Sequence, residues 1–85
     1  MRFECVGRVK AFQPAGRLFK LLFADSETKQ TWAIYCDLTA VDFGLVVEAQ
    51  EKQFLCRIRG WQRQDKGRIF FRLQQFEILD SRGAI

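Results

Sequence analysis

Residues 54–79 read FLCRIRGWQRQDKGRIFFRLQQFEIL, two runs in which apolar and polar residues alternate. The first run places Phe54 and Ile58 on one face of an extended chain, and the second does the same with Ile69 and Leu73. Alternation with a period of two indicates half-buried β-strands, and the intervening QDKG has turn-forming residues. The stretch therefore predicts a β-hairpin.

The second strand of this hairpin contains an irregularity. Its apolar residues occupy odd-numbered positions as far as Leu73 and even-numbered positions from Phe76 onward. One extra residue in the strand, a β-bulge, would move the apolar set from one face to the other in this way. We therefore expect a bulge between Leu73 and Phe76, as is common in small, strongly bent barrels.

Three further strands precede the hairpin. Alternation at 3–11 predicts the first strand, and the sequence PAG at 14–16 ends it. Alternation resumes at 17–25, so these two strands form a hairpin of their own. After a polar connection, residues 31–36 are rich in aromatic and β-branched residues, which favours a third strand.

A short helix is expected between the third and fourth strands. Asp37 or Thr39 is a suitable N-cap for a helix beginning near Leu38, although Gly44 lowers the helix propensity of this segment. The expected apolar side of this helix consists of Val41, Leu45, Val46 and Ala49.

The order of three strands, a short helix and two strands predicts a mainly all-β fold. In a chain of 85 residues it is the layout of the five-stranded OB-fold Greek-key barrel with one short helix between strands 3 and 4. An SH3-like barrel is the alternative. We expect a single OB-fold domain at 1–80 and a short flexible C-terminus at 81–85.

The composition limits the kinds of function. The chain has a net charge of +4, no His, and three widely spaced cysteines, Cys5, Cys36 and Cys56. Such cysteines fit neither a disulfide framework nor a zinc site, so buried thiols in a reducing compartment are expected. We therefore predict no enzyme activity, no cofactor and no metal. The apolar runs are too short to cross a bilayer, which favours a cytoplasmic protein without membrane association.

Positive charge is concentrated in the two hairpins. Residues 1–20 contain five basic and one acidic residue, and residues 52–72 contain seven basic and one acidic; residues 21–51 contain one basic and six acidic residues. Strands one and four are neighbours in the expected barrel, so the basic segments would meet on one side. The cations expected to contact nucleic acid are Arg8, Lys10, Arg17, Lys20, Arg57, Arg59, Arg63, Lys66, Arg68 and Arg72.

Outward-facing aromatic residues would supply surfaces on which bases stack. Trp61 shares its alternation with the arginines of strand four, so it is expected to point outward. Phe12 and Tyr35 also fall opposite the apolar sets of their strands, and Phe70 is a further candidate. A core position at a barrel end is the alternative for each. Alternation predicts Trp32, by contrast, to be buried.

Four segments carry a likeness to a known family: VGRV at 6–9, KQTW at 29–32, CRIRGW at 56–61 and FEILD at 76–80. Together they resemble the single-stranded DNA-binding protein family and its relative, the primosomal replication protein. The resemblance implies an OB-fold, base stacking by Trp32 and Trp61, phosphate contacts by neighbouring Arg and Lys, and often dimers or tetramers. It therefore places Trp32 on or near the binding surface.

Two features depart from the family pattern. The chain ends at Ile85 without an acidic tail, and Lys-Gln at 52–53 stands where Lys-Gly usually precedes strand four. These departures favour a smaller accessory role over housekeeping strand binding.

We expect non-catalytic binding of single-stranded nucleic acid, DNA rather than RNA, by aromatic stacking and a basic groove. A homodimer or other homo-oligomer is compatible with this function. The alternative is a protein–protein interaction module in a larger assembly, with a protein partner docking on an exposed sheet edge or on Trp61 and Phe12.

Overall fold

The computed structural model describes residues 1–37 and 39–82 of the chain. Five strands and one helix follow in the predicted order: β1 (Arg2–Ala15), β2 (Leu18–Asp25), β3 (Thr31–Asp37), α1 (Phe43–Lys52), β4 (Leu55–Asp65) and β5 (Arg68–Asp80). No helix among these residues is long and apolar enough to span a membrane.

The strands form a closed barrel in the order β1-β2-β3-β5-β4, with β4 returning to β1. Neighbouring strands are antiparallel except β3 and β5, which run parallel. Among the described residues these two pair at two positions only, Ile34 with Phe71 and Tyr35 with Arg72. The Greek-key barrel is therefore confirmed, as is the adjacency of strands one and four on which the charge argument depends.

One hydrophobic core fills the barrel. Each fully buried large side chain contributes about 1.5–3 kcal/mol to the stability of the fold. Within the described part of the chain, no polar or charged residue is buried among them. The core residues come from all five strands, the helix and the residue before β4: Val9, Phe19, Leu21, Phe23, Ile34, Cys36, Val46, Ala49, Phe54, Cys56, Ile58 and Leu73.

The three cysteines are free thiols, as predicted. Cys36 and Cys56 are buried in the core, and burial raises the pKa of each to about 11. Cys5 is half-buried, and burial together with the neighbouring Asp25 carboxylate raises its pKa to about 12. These thiols stay protonated at neutral pH.

The helix begins later than predicted. Its N-cap is Asp42, whose side chain accepts a 2.9 Å hydrogen bond from the backbone N–H of Gly44. Asp37, a predicted cap, instead accepts hydrogen bonds from the backbone N–H and the hydroxyl of Thr39 in the preceding turn. The start near Leu38 is therefore wrong, although Leu38 itself lies outside the described residues.

The apolar side of the helix is narrower than predicted. Val46 and Ala49 are buried against the barrel, whereas Leu45 remains 38% exposed. Leu45 is exposed because it points toward a groove beside β5 and not into the barrel.

Three register shifts interrupt the strand pairing of the described residues, and one of them, near the end of β5, leaves Leu79 as an extra residue opposite Leu55 and Cys56. The bulge predicted in β5 is present, because Arg59 and Gly60 pair with Gln75 and Leu73 and leave Gln74 as the extra residue. A second bulge, not predicted, leaves Lys10 as the extra residue of β1. Each bulge reverses which residues of its strand face inward.

Gly60 of β4 allows this strand to lie close to the backbone of Arg72 in β5. A Cβ atom at Gly60 would overlap the backbone oxygen of Arg72 and touch the ring of Phe3. Only glycine fits there, so Gly60 fixes where the backbone of Arg72 lies.

The predicted flexible C-terminus falls only partly within the described residues. Ser81 and Arg82 form a turn in which Arg82 donates hydrogen bonds to Asp80. Residues 83–85 lie outside the described part of the chain, so the prediction stays open there.

Candidate nucleic-acid interface

Five outward-facing side chains form a row around the barrel, one from each strand. Strand register pairs each of them with the next across neighbouring strands, which lie about 4.8 Å apart. Cations and aromatic rings alternate along this row. We call it the cation–aromatic row: Lys20 of β2, Tyr35 of β3, Arg72 of β5, Trp61 of β4 and Arg2 of β1.

Contacts hold the two aromatic rings of the row in place. The guanidinium of Arg2 lies over the Trp61 ring, 5.0 Å from its centroid. The Tyr35 ring meets the ring of Phe70 edge to face, with centroids 6.1 Å apart. Tyr35, Trp61 and Phe70 are each half-buried, so each keeps part of its ring open to solvent. Their predicted outward orientation is confirmed.

Two open clefts flank the middle of the row. The first cleft has a volume of about 600 Å³, and Tyr35 and Phe70 line it between the ends of the β1–β2 and β4–β5 hairpins. The second cleft has a volume of about 500 Å³ and is lined by Trp61. Arg63 and Arg72 line both clefts. Two aromatic surfaces are thus separated by two guanidinium groups.

The cations of this surface are available to a ligand. Within residues 1–37 and 39–82, Lys20, Arg63 and Arg72 form no ion pair with a carboxylate. Asp65 also lines the first cleft. Hydrogen bonds from Thr39, aided by the charge of Arg72, hold the pKa of Asp37 below its usual range. The surface therefore has unneutralised positive charge beside its aromatic rings.

The hairpin tips add exposed cations around the first cleft. Arg17 follows Gly16 in the β1–β2 turn, and Lys66 precedes Gly67 in the β4–β5 turn. Gly16, Lys66 and Gly67 have positive φ angles, as such tight turns require. Arg68 begins β5 and is exposed as well. These cations are exposed at the hairpin ends, as predicted, and their contact with nucleic acid stays a prediction.

Arg57 and Arg59 lie on the outer face of β4, but acidic side chains engage them. Both pair with the carboxylate of Glu4, and Arg57 also lies 3.7 Å from Glu77. The hydrogen bond from Arg59 is the main cause that lowers the pKa of Glu4. These arginines are therefore partly neutralised and lie outside the two clefts.

Arg8 and Lys10 are also separate from the clefts. The Arg8 side chain donates a 3.1 Å hydrogen bond to the backbone oxygen of Gln53. Gln53 is the left-handed C-cap of α1, and its amide donates to the backbone oxygens of Val9 and Gln50. Arg8 therefore holds the helix end against β1, while Lys10 is the exposed extra residue of the β1 bulge.

The outward orientation predicted for Phe12 is wrong. The β1 bulge at Lys10 reverses the alternation, so Phe12 packs against the core and meets the ring of Phe43 at 5.3 Å. Phe12 thus helps to seat the helix on the barrel.

Trp32 lies on the inner side of β3, as its alternation predicts. Its ring packs against the core and meets Phe71 edge to face at 5.7 Å. The place on or near the binding surface that the family resemblance implies for Trp32 stays a prediction. Trp32 lines a small apolar pocket with Phe3 and Phe71, away from the cation–aromatic row.

Arg2 belongs to the row but was not among the predicted site residues. Its proximity to Trp61 depends on the pairing of β1 with β4, which joins residues 59 positions apart. Once those strands are known to be neighbours, the register of the pair identifies Arg2.

Neither the protein-family models nor the curated proteins give a match to this sequence. Solved structures do. Asparaginyl-tRNA synthetase from Pyrococcus horikoshii superimposes with a TM-score of 0.67 at 15% identity, over 94% of this chain and 20% of the synthetase chain. A chain of the S. pombe Stn1–Ten1 complex gives a TM-score of 0.65 at 16% identity, over 92% of this chain and 57% of that one.

The OBody AM1L10, solved bound to hen egg-white lysozyme, gives a TM-score of 0.63 at 18% identity, over 94% of this chain and 80% of the OBody. The fold is an OB-fold. At these identities the likeness shows the fold alone. The chain spans about a fifth of the synthetase and just over half of the Stn1–Ten1 chain.

Proposed function

We propose that this OB-fold barrel binds single-stranded nucleic acid on the cation–aromatic row and its two clefts, without catalysis. The observation that carries the proposal is that Arg63 and Arg72 stand between two aromatic surfaces, Tyr35 with Phe70 and Trp61. A single strand presents this same alternation of flat bases and charged phosphates.

Stacking supplies the attraction for bases. Each base that stacks on an aromatic side chain contributes about 1–3 kcal/mol, and any base has a face that can stack. Tyr35 and Trp61 each offer such a surface. A duplex keeps its bases stacked on one another, so it would gain only the phosphate contacts.

Phosphate contacts supply the salt-sensitive part of the affinity. Arg2, Lys20, Arg63 and Arg72 are the cations along this surface. Neutralising four phosphates of a single strand gives a slope of log affinity against log salt of about −3. This value separates nucleic-acid binding from apolar docking of a protein, which depends little on salt.

The absence of His supports non-catalytic binding, because no serine or cysteine has its usual basic partner. The resemblance to single-stranded DNA-binding proteins favours DNA over RNA and a homo-oligomeric assembly. The similar solved structures include a synthetase named for a tRNA and an OBody bound to lysozyme, so this fold serves nucleic-acid and protein ligands alike.

Tryptophan fluorescence tests the proposal directly, because the two tryptophans lie in different places. Trp32→Phe leaves Trp61 as the only indole, and Trp61→Phe leaves Trp32. We expect oligo-dT of about 12 nucleotides, within the site size of one OB barrel, to quench the fluorescence of the Trp32→Phe variant. The fluorescence of the Trp61→Phe variant should not be quenched. Titrations with oligo-U and with a matched duplex test the strand preference.

Trp61→Ala measures the contribution of stacking. We expect it to weaken oligo-dT binding by about 1–3 kcal/mol, while thermal unfolding stays cooperative because the ring lies outside the core.

Equal quenching in both single-tryptophan variants, equal binding of duplex, or an affinity insensitive to salt would each contradict the proposal. The last outcome would favour a protein-interaction module.

A further inference from the structure

β5 leaves part of one edge without a strand partner. It pairs with β4 along its whole length, but with β3 only at Phe71 and Arg72. From Gln74 onward, no backbone hydrogen bond between described residues reaches β5 from the side opposite β4. Strand residues direct backbone donors and acceptors to both sides of the strand. Residues 74–79 therefore present an unpaired edge.

This edge forms one wall of a groove. The groove has a volume of about 570 Å³, and residues 74–77 face the segment that leads into α1 across it. Val41, Leu45 and Phe76 supply apolar side chains to its lining. Leu45 is one of the few large apolar side chains of the described residues that remain exposed. The groove thus combines unpaired backbone groups with apolar contacts.

We propose that this groove binds an extended segment of a protein partner, which adds to β5 as a further strand. Backbone groups on an open edge are satisfied by another strand, and alternate side chains of that strand then fill pockets on one side.

The charge around the groove indicates the chemistry of the segment. Arg59 and Glu77 line the groove, but each is engaged in an ion pair, with Glu4 and Arg57 respectively. Asp42 is the remaining charged residue of the lining. Asp42 forms no ion pair with another described residue. The segment is therefore one with alternating β-branched residues and basic neighbours, and nucleic acid is disfavoured on this side.

A synthetic peptide, acetyl-KTVKVTVK-amide, serves as the probe. It is titrated into the full chain saturated with oligo-dT, so that the cation–aromatic row is already occupied. We expect amide hydrogen exchange within residues 74–79 to slow by about tenfold or more, with NMR shift changes at Val41 and Leu45. The control peptide acetyl-VVVKKTTK-amide has the same composition without alternation, and it should bind at least about tenfold more weakly.

A pair of variants locates the peptide. Leu45→Lys and Glu51→Gln each raise the net charge by one, but only Leu45 lines the groove. We expect Leu45→Lys to weaken peptide binding by about tenfold, Glu51→Gln to change it little, and neither to alter the affinity for oligo-dT. The inference is overturned if the peptide does not bind, if it competes with oligo-dT, or if both variants behave alike. Without peptide, amides at 74–79 could instead be protected from exchange to an extent that rises with protein concentration. That result would mean that the edge pairs with a second copy of the chain, and it would also overturn the inference.

Discussion

Arg2 on β1 stands over the ring of Trp61 on β4, with its guanidinium 5.0 Å from the ring centroid. The two residues are paired directly across the strands that close the barrel. A cation over an exposed indole contributes about 0.5–1 kcal/mol. The contact orients the Trp61 ring and places a positive charge beside it. In the binding mode that we propose, this charge would attract the phosphate of a nucleotide whose base stacks on Trp61.

Arg2→Met removes this charge and keeps a side chain of similar length. We expect the affinity for oligo-dT to fall by about three- to tenfold and the salt slope to fall by about 0.7, the value for one phosphate contact on a single strand. Fluorescence anisotropy at several salt concentrations measures both quantities. Lys10→Met is the matched control, since Lys10 is an exposed cation of the same strand outside the row. An equal loss in the control would mean that overall charge, and not the row, determines binding.

Arg72 and Arg57 make a second matched pair of cations. Arg72 lines both clefts, and among the described residues it forms no ion pair, whereas Arg57 lies near Glu4 and Glu77. We expect Arg72→Gln to lower oligo-dT affinity by about tenfold and to reduce the salt slope by about 0.7. Arg57→Gln should change either quantity by less than half as much. The same anisotropy titrations decide this, and similar losses in both variants would contradict the site.

The bulges at Gln74 and Lys10 explain why part of the site could be predicted from the sequence and part could not. In β5 the apolar residues themselves change parity, so the bulge at Gln74 was visible in the sequence. In β1 the residues after the bulge, Ala11 and Phe12, are both apolar, so alternation gave no sign of it. Phe12 was therefore assigned to the wrong face.

Charge pairing depends on contacts that the sequence does not record. Arg59 and Glu4 are 55 positions apart and meet only because β1 pairs with β4. Alternation correctly placed Arg59 outside the barrel, yet it could not separate an engaged arginine from an available one such as Arg63. For Trp32, alternation predicts the inner face of β3, and the structure confirms it.

Gly60→Ala tests whether the backbone beneath the row is fixed by close strand contact. The added Cβ would overlap the backbone oxygen of Arg72, which cannot move without disturbing the β4–β5 pairing. We expect a loss of about 2–4 kcal/mol in the free energy of unfolding, within the range of severe single substitutions. Gly44→Ala is the control; it lies in the helix, where alanine is favoured, and should change stability by less than about 1 kcal/mol. Urea denaturation measures both variants.

The buried thiols of Cys36 and Cys56 predict a loss of stability at alkaline pH. Burial raises the pKa of each thiol to about 11, above its value in the unfolded chain. The folded protein therefore keeps these protons in a range where the unfolded chain releases them. The stabilisation is fully present below about pH 8.5 and is lost as the pH rises toward 11, by at most about 1.4 kcal/mol per pH unit for each thiol. Urea denaturation at pH 8, 9 and 10 should show a falling midpoint.

The double variant Cys36→Ala, Cys56→Ala separates the thiols from other groups that titrate in this range. Both thiols donate hydrogen bonds to backbone oxygens, Cys36 to Asp37 and Cys56 to Phe54, so the variant starts from a lower stability at pH 8. The half-buried Cys5 thiol, whose pKa is also raised, remains in it, and the alkaline loss that Cys5 causes remains as well. We expect the decline in unfolding free energy between pH 8 and 10 to be shallower than in the parent chain. Parallel declines would assign the alkaline loss to groups other than these two thiols, and the prediction would then be wrong.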